Sequence, residues 1–155
     1  MQMKWSNRKF DDLSGRDVYE ILRLRVDIFI VEQACPYHEA DGNDYEAIHV
    51  CCEDSRGLAA YARLLPAGVK YERPSIGRVI VRRDVRGEGI AHTLMERALD
   101  FMLREWKPKD IQLQAQTHLV KFYNGHGFTE ISEPYEDDGI PHVDMIYKSN
   151  PSISF

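Results

Sequence analysis

The feature that most constrains this chain lies between Ile76 and Glu105. The run IGRVIV (76–81) is short and rich in β-branched residues, as a strand requires. It leads through RRDVRGEGIAHT (82–93), a basic stretch with two glycines one residue apart, into EGIAHTLMERALDFMLRE (88–105). In that last segment Ala91, Leu94, Met95, Ala98, Leu99 and Met102 recur at helical spacing, with Glu96, Arg97, Asp100 and Arg104 on the other side. A strand, a glycine turn and a helix with one long apolar face predict a helix laid on a sheet.

The rest of the chain supplies that sheet. DVYEILRLRVDIFIVE (17–32) places Val18, Ile21, Leu22, Arg25, Ile28 and Phe29 on one helical face, and QACPYHEADGND after it reads as a loop. AIHVCCE and GLAAYARLL flank Asp54, Ser55, Arg56 and Gly57 as an antiparallel hairpin. IQLQAQ alternates as a strand does, and HLVKFYNGHGF reads as a short helix stopped by glycine. FTEISEPYE and HVDMIYK follow as two strands joined across DDGIP, and MKWSNRKF supplies a first strand. The expected fold is α/β with a mixed sheet and helices on both faces. With 155 residues, 43% of them hydrophobic, the chain reads as one domain over 1–155 with a real core and a frayed NPSISF tail.

Charge and cysteine usage narrow the function classes. A formal net charge of -5 argues against a nucleic-acid partner, which needs clustered Lys and Arg. The N-terminus has no apolar signal core, and no apolar run approaches the roughly 20 residues that cross a bilayer, so a cytoplasmic protein without a membrane partner is expected. Of three cysteines, Cys51 and Cys52 are adjacent in a strand and should point to opposite faces as reduced core thiols. Cys35, His38, His49 and Cys51 match no zinc-ligand spacing, and no metal is expected.

The glycine turn fits neither familiar nucleotide motif. A dinucleotide fingerprint needs a third glycine where His92 stands, and no Gly-Lys-Ser/Thr follows to make a P-loop. Two readings stand for Gly87 and Gly89. They make a tight strand-to-helix turn, or they let backbone N–H groups and the positive end of the helix dipole meet a pyrophosphate.

Arg86-Gly87-Glu88-Gly89-Ile90-Ala91 resembles the R/Q-x-x-G-x-G/A element of the GNAT family of N-acetyltransferases. Phe122-Tyr123-Asn124-Gly125-His126-Gly127-Phe128 is similar to the same family's A/F-Y-x-x-x-G-F segment. The likeness spans roughly residues 5 to 148 and extends into the ElaA-like branch. The branch-like blocks are Val31-Glu32-Gln33 with Cys35-Pro36-Tyr37, Ala60-Tyr61-Ala62-Arg63, Ile76-Gly77-Arg78-Val79, and Tyr135 through His142.

The resemblance implies an acyl-CoA N-acyltransferase fold, with a mostly antiparallel sheet splayed between strands 4 and 5. It implies acetyl-CoA as co-substrate, an amine acceptor, direct transfer in a ternary complex, and a homodimer as a common state. It places the pantetheine arm along Val79, Ile80 and Val81, and the pyrophosphate on Arg86, Gly87, Glu88, Gly89, Ile90 and Ala91. Tyr123 is implied as the acid for the departing thiolate, with a backbone N–H near Val79 or Ile80 for the oxyanion. Many relatives carry a glutamate base on the strand before the tyrosine helix, but Ile111-Gln112-Leu113-Gln114 offers no carboxylate. Glu32, Glu136, His118 and His142 are all open as the base, and a CoA-binding module without turnover is the rival function.

Overall fold

The structure, a computed structural model, describes residues 2–149; the NPSISF segment lies outside them. Strand β1 (Lys4–Lys9) leads into helix α1 (Gly15–Arg25). A capping box starts this helix: the Asp17 N–H donates to Ser14 Oγ (3.0 Å), and the Ser14 N–H donates to the Asp17 carboxylate (2.8 Å). Past Arg25 the helix widens over Val26–Glu32 into π-helical turns, with Gln33 N–H donating to Ile28 O (3.2 Å) and Cys35 N–H to Ile30 O (3.1 Å). The periodicity predicts one uniform helix over 17–32, and the widened turn changes which residues share a face. Ile28 and Phe29 are buried, while Glu32 and Gln33 reach a cleft described below.

The hairpin forms as expected from β2 (Ile48–Asp54) and β3 (Gly57–Leu65), followed by β4 (Ser75–Val81). Helix α2 spans Ile90–Phe101, with Gly89 as its N-cap, and continues as a wider turn over Met102–Trp106. It stops where Lys107 takes a left-handed φ of 45° just before Pro108. Next come β5 (Asp110–Gln116), the short helix α3 (Val120–Asn124), β6 (Phe128–Glu130), β7 (Tyr135–Asp137) and β8 (Ile140–Lys148). FTEISEPYE, expected as one strand, is thus broken into β6 and β7. Pro134 lies in the break and has no N–H to continue the ladder.

Among the described residues the sheet runs β1-β2-β3-β4-β5-β8-β6, with β7 also on β8. Every pairing is antiparallel except β4 with β5. Helix α2 covers one face, where Leu94, Met95, Ala98 and Met102 pack in one cluster with Val50, Cys52, Ala62 and Ile111. On the other face Ile21, Ile28 and Phe29 cluster with Cys51, Tyr61 and Ile80. Cys51 and Cys52 therefore enter opposite cores, both as free thiols, and burial first of all pushes the Cys51 thiol up to about 11. Gly127, which ends the segment after α3, has φ +93°, and a Cβ there would lie 2.9 Å from the Tyr147 ring. Only glycine fits that close approach.

Candidate active site

Strands β4 and β5 are parallel but meet only at Ser75 and Gln112, and beyond that pair they diverge. A cleft of about 690 Å³ lies beside their carboxyl ends. Val79, Ile80 and Val81 form part of one wall, and Gln116, His118 and Tyr123 part of another. Arg86, Gly87, Gly89, Ile90 and Ala91 also line it. Every residue expected to hold the CoA moiety borders this cleft except Glu88, which is exposed.

The turn below the cleft has an anion-binding geometry. Gly87 and Gly89 take φ of 84° and 82°, and a Cβ at either would meet nothing within 4 Å. No side chain caps α2. Among the described residues, the N–H groups of Gly87, Glu88 and Gly89 have no hydrogen-bond acceptor, and those of the first turn of α2 have none within the helix. Unsatisfied donors at a positive helix end, facing open space, are what a phosphate group requires.

Arg86 is engaged elsewhere. Its Nε donates to Val81 O (2.9 Å), and Nη1 and Nη2 clasp the Glu32 carboxylate at 3.0 and 3.1 Å. Arg83 joins the same carboxylate at 3.2 Å. The hydrogen bonds from Arg86 hold Glu32 below the usual carboxylate range, which makes it a weaker proton acceptor. Glu32 thus anchors the glycine turn to the end of the first helix.

Tyr123 is buried in α3, borders the cleft, and packs edge-on against Phe122 and Phe128. Desolvation pushes its phenol up to about 12, so it stays protonated at any working pH. Its hydroxyl has no hydrogen-bond partner among the described residues. His118 lies exposed on the turn before α3 and also borders the cleft.

A second, polar pocket of about 190 Å³ adjoins the first, sharing Phe29, Gln33 and Gln116 with it. His142 lines this pocket and pairs with Gln116 across β5 and β8. Its Nδ1 lies 2.7 Å from Ile140 O. A carbonyl only accepts, so Nδ1 carries the proton and a neutral ring keeps Nε2 free as an acceptor. Glu136 borders neither cavity. Its neighbours on β7, Tyr135 and Asp137, both take hydrogen bonds from the Gln114 amide at 2.9 Å, and strand alternation turns Glu136 to the other face.

The sequence reading did not pair the charges behind this pocket. Arg25, fully buried, donates to Glu39 and to Asp44, each at 2.7 Å. Arg63 is bound by Asp41 (2.8 Å) and Asp44 (3.2 Å), and Arg78 by Glu39 (2.9 Å) and Tyr37 Oη (2.7 Å). Burial alone would raise the Asp41 carboxyl, but hydrogen bonds from Arg63 and the Asn43 backbone bring it down to about 2. The signal was present as three arginines inside apolar segments and three acids in one loop. Arg78 sits at a bulge with φ of 50°, where the β3–β4 register shifts between Tyr61 and Arg63. His49 bonds to Tyr61 Oη (2.6 Å) and Cys35 to Asp138 O (3.2 Å).

Comparison with known proteins agrees with this geometry. Residues 27–149 match the acetyltransferase (GNAT) domain. The ElaA protein of Escherichia coli is 39% identical over 92% of this chain and 95% of its own length. Its crystal structure superposes with a TM-score of 0.90 over 95% of this chain and 100% of that one. An acyl-CoA N-acyltransferase from Pseudomonas aeruginosa, 38% identical, superposes at 0.89 over 94% and 99%. With the splayed sheet, the glycine turn under its cleft and these relatives in agreement, the chain belongs to the GNAT acetyltransferase family, in its ElaA-like branch.

Proposed function

We propose that this chain transfers an acetyl group from acetyl-CoA directly to a primary amine in a ternary complex. The observation that carries the proposal is the junction of two unlike cavities at Phe29, Gln33 and Gln116. One is long, with unsatisfied N–H donors at its end; the other is small and polar, with His142 in its wall. The acyl-CoA N-acyltransferase named in the Pseudomonas relative is consistent with this division. The branch-like segments noted in the sequence also converge here, since Gln33, Tyr37, Arg63, Arg78 and His142 all line the polar pocket.

Bound acetyl-CoA supplies the thioester, and the residues of the chain do the rest. The first turn of α2 and the N–H groups of 87–89 receive the pyrophosphate, and β4 lies along the pantetheine arm. The bulge at Arg78 takes Arg78 and Val79 out of the regular β3 ladder, which favours a backbone N–H of Val79 as the oxyanion donor. His142 Nε2 takes the proton of the incoming ammonium. The free amine attacks the thioester carbonyl, the C–S bond breaks as the C–N bond forms, and the second proton shed by the nitrogen ends on the departing thiolate, to which the Tyr123 hydroxyl donates a hydrogen bond. Full proton transfer from a phenol near 12 to a thiolate of ordinary basicity, about 8.5, would be uphill by about 4–5 kcal/mol.

Amines including spermidine, lysine peptides and aminoglycosides, tested for CoA release with a thiol reagent, should yield at least one substrate. With that substrate Tyr123→Phe and His142→Gln should each lower kcat while leaving acetyl-CoA affinity within about twofold. Wild-type kcat in either variant would remove that residue from the mechanism. Tight CoA binding without release to any amine would favour a CoA-binding module instead.

A further inference from the structure

The polar pocket is lined by charged groups of both signs, some of them without an ion-pair partner among the described residues. Arg63, Arg78, Glu39 and Asp41 line it, and behind them Arg25 and Asp44 complete a network of three arginines and three carboxylates. Lys70, from the connection between β3 and β4, lines the same pocket, and among the described residues no carboxylate lies within 4.0 Å of its ammonium. Its nitrogen lies 5.5 Å above the Tyr71 ring. Its side chain is exposed at the rim; desolvation first, and then the charges of Arg78 and Arg63, lower its pKa, while Asp41 and Asp137 act in the other direction. Lys70 and Arg78 belong to one lining, and an anion placed there meets both charges.

Arg78 offers donors to such an anion. Its guanidinium stacks 3.9 Å over Phe29, and only Nη1 is used, toward Tyr37 and Glu39. Nε and Nη2 have no partner among the described residues, and the side chain is 23% exposed. Stacking and the two bonds at Nη1 fix the plane of the fork, so its free edge is preorganised for an oxyanion. The same pocket includes Asp137 and Asp138, neither of which forms an ion pair among the described residues. Groups that attract an anion and groups that attract a cation share a cavity with room for about six waters.

We infer that Lys70 and Arg78 form a carboxylate subsite, and that the acceptor is an amino acid or a similarly small amine bearing a carboxylate. This rests on the proposed transfer to an amine. A polyamine would satisfy Asp137 and Asp138 but would set a second ammonium against Lys70 and Arg78, whereas an amino acid matches both sides at once.

The test compares kcat/KM for amino acids with the amines left when their carboxylate is removed, such as lysine against cadaverine and phenylalanine against phenethylamine, with aminophosphonates as a third arm. The wild type should prefer the amino acids at least tenfold. Lys70→Met should erase that preference through KM, and Lys70→Arg should restore most of it. Equal or better use of the decarboxylated amines, or an unchanged preference in Lys70→Met, overturns the inference; preference for aminophosphonates overturns the carboxylate assignment. Calorimetry of N-acetyl amino acids against N-acetyl amines, with CoA present, reads the subsite without turnover. Lys70-dependent binding of the N-acetyl amino acids with no transfer to any amine would refute the transfer and leave the subsite standing. Transfer to amines without such binding would do the reverse.

Discussion

Replacing Gly89 with alanine separates the backbone role of this residue from its role under the cleft. Gly89 has φ of +82°, where an L side chain costs about 1–2 kcal/mol. Part of that is offset, by about 0.4–1 kcal/mol, because alanine loses less freedom on folding. The net destabilisation should be about 1 kcal/mol, a fall of about 2–4 °C in Tm for a chain of this size. No clash adds to it, since a Cβ there meets nothing within 4 Å. In the proposed cradle the pyrophosphate approaches the N–H groups of 87–89 and the start of α2 through that empty space. A methyl group displaces it, and losing two charge-assisted hydrogen bonds at about 1.5–3 kcal/mol each weakens CoA binding by more than about 100-fold. Gly68→Ala is the matched control, with φ of +87° and the same empty surroundings on the β3–β4 connection. Calorimetry with CoA and thermal melting on both variants should give similar small losses of Tm but a loss of affinity only for Gly89→Ala. Unchanged CoA affinity in Gly89→Ala, or an equal loss in Gly68→Ala, would refute the cradle.

Two further outcomes test the ion network behind the polar pocket. Arg25→Met leaves Glu39 buried without its 2.7 Å partner and should lower the unfolding free energy by about 3–5 kcal/mol in urea; a change below about 1 kcal/mol would mean that water or Arg78 compensates. Asp41 has a folded pKa depressed to about 2 from 3.8, so its contribution is fully present above its unfolded pKa and is lost as pH falls between about 4 and 2. Because its side chain is 34% exposed, screening limits this contribution to about 1 kcal/mol, and Asp41→Asn should flatten that part of the stability profile; identical acid limbs in both proteins would exclude the linkage.

Much of the fold was legible because its signals are local. The capping box at Ser14, the hairpin around Ser55 and Arg56, and the apolar face of α2 depend on residues within one turn or one strand pair. The departures were local too, but of a kind that periodicity does not encode. The π-helical turns after Arg25 and Phe101 keep an apolar pattern that 3.6-residue spacing reads as uniform helix. The break at Pro134 splits a run that composition alone treats as one strand.

For the site, the division follows chain separation. Gly87 and Gly89 before a helix mark in the sequence itself a tight turn with free N–H groups, because backbone φ and unsatisfied N–H groups are properties of a few consecutive residues. That Glu32, His118 and His142 border a cavity while Glu136 does not was decided only by the tertiary structure. Glu32 is taken by Arg86, 54 positions away, and Glu136 is turned aside by the alternation of β7. His142 is brought beside Gln116 by the β5–β8 register. The arginines in apolar runs announced that buried charges needed partners, but sheet order selected Glu39, Asp41 and Asp44. Coulomb attraction acts through space, and the order of the strands determines which charges become neighbours.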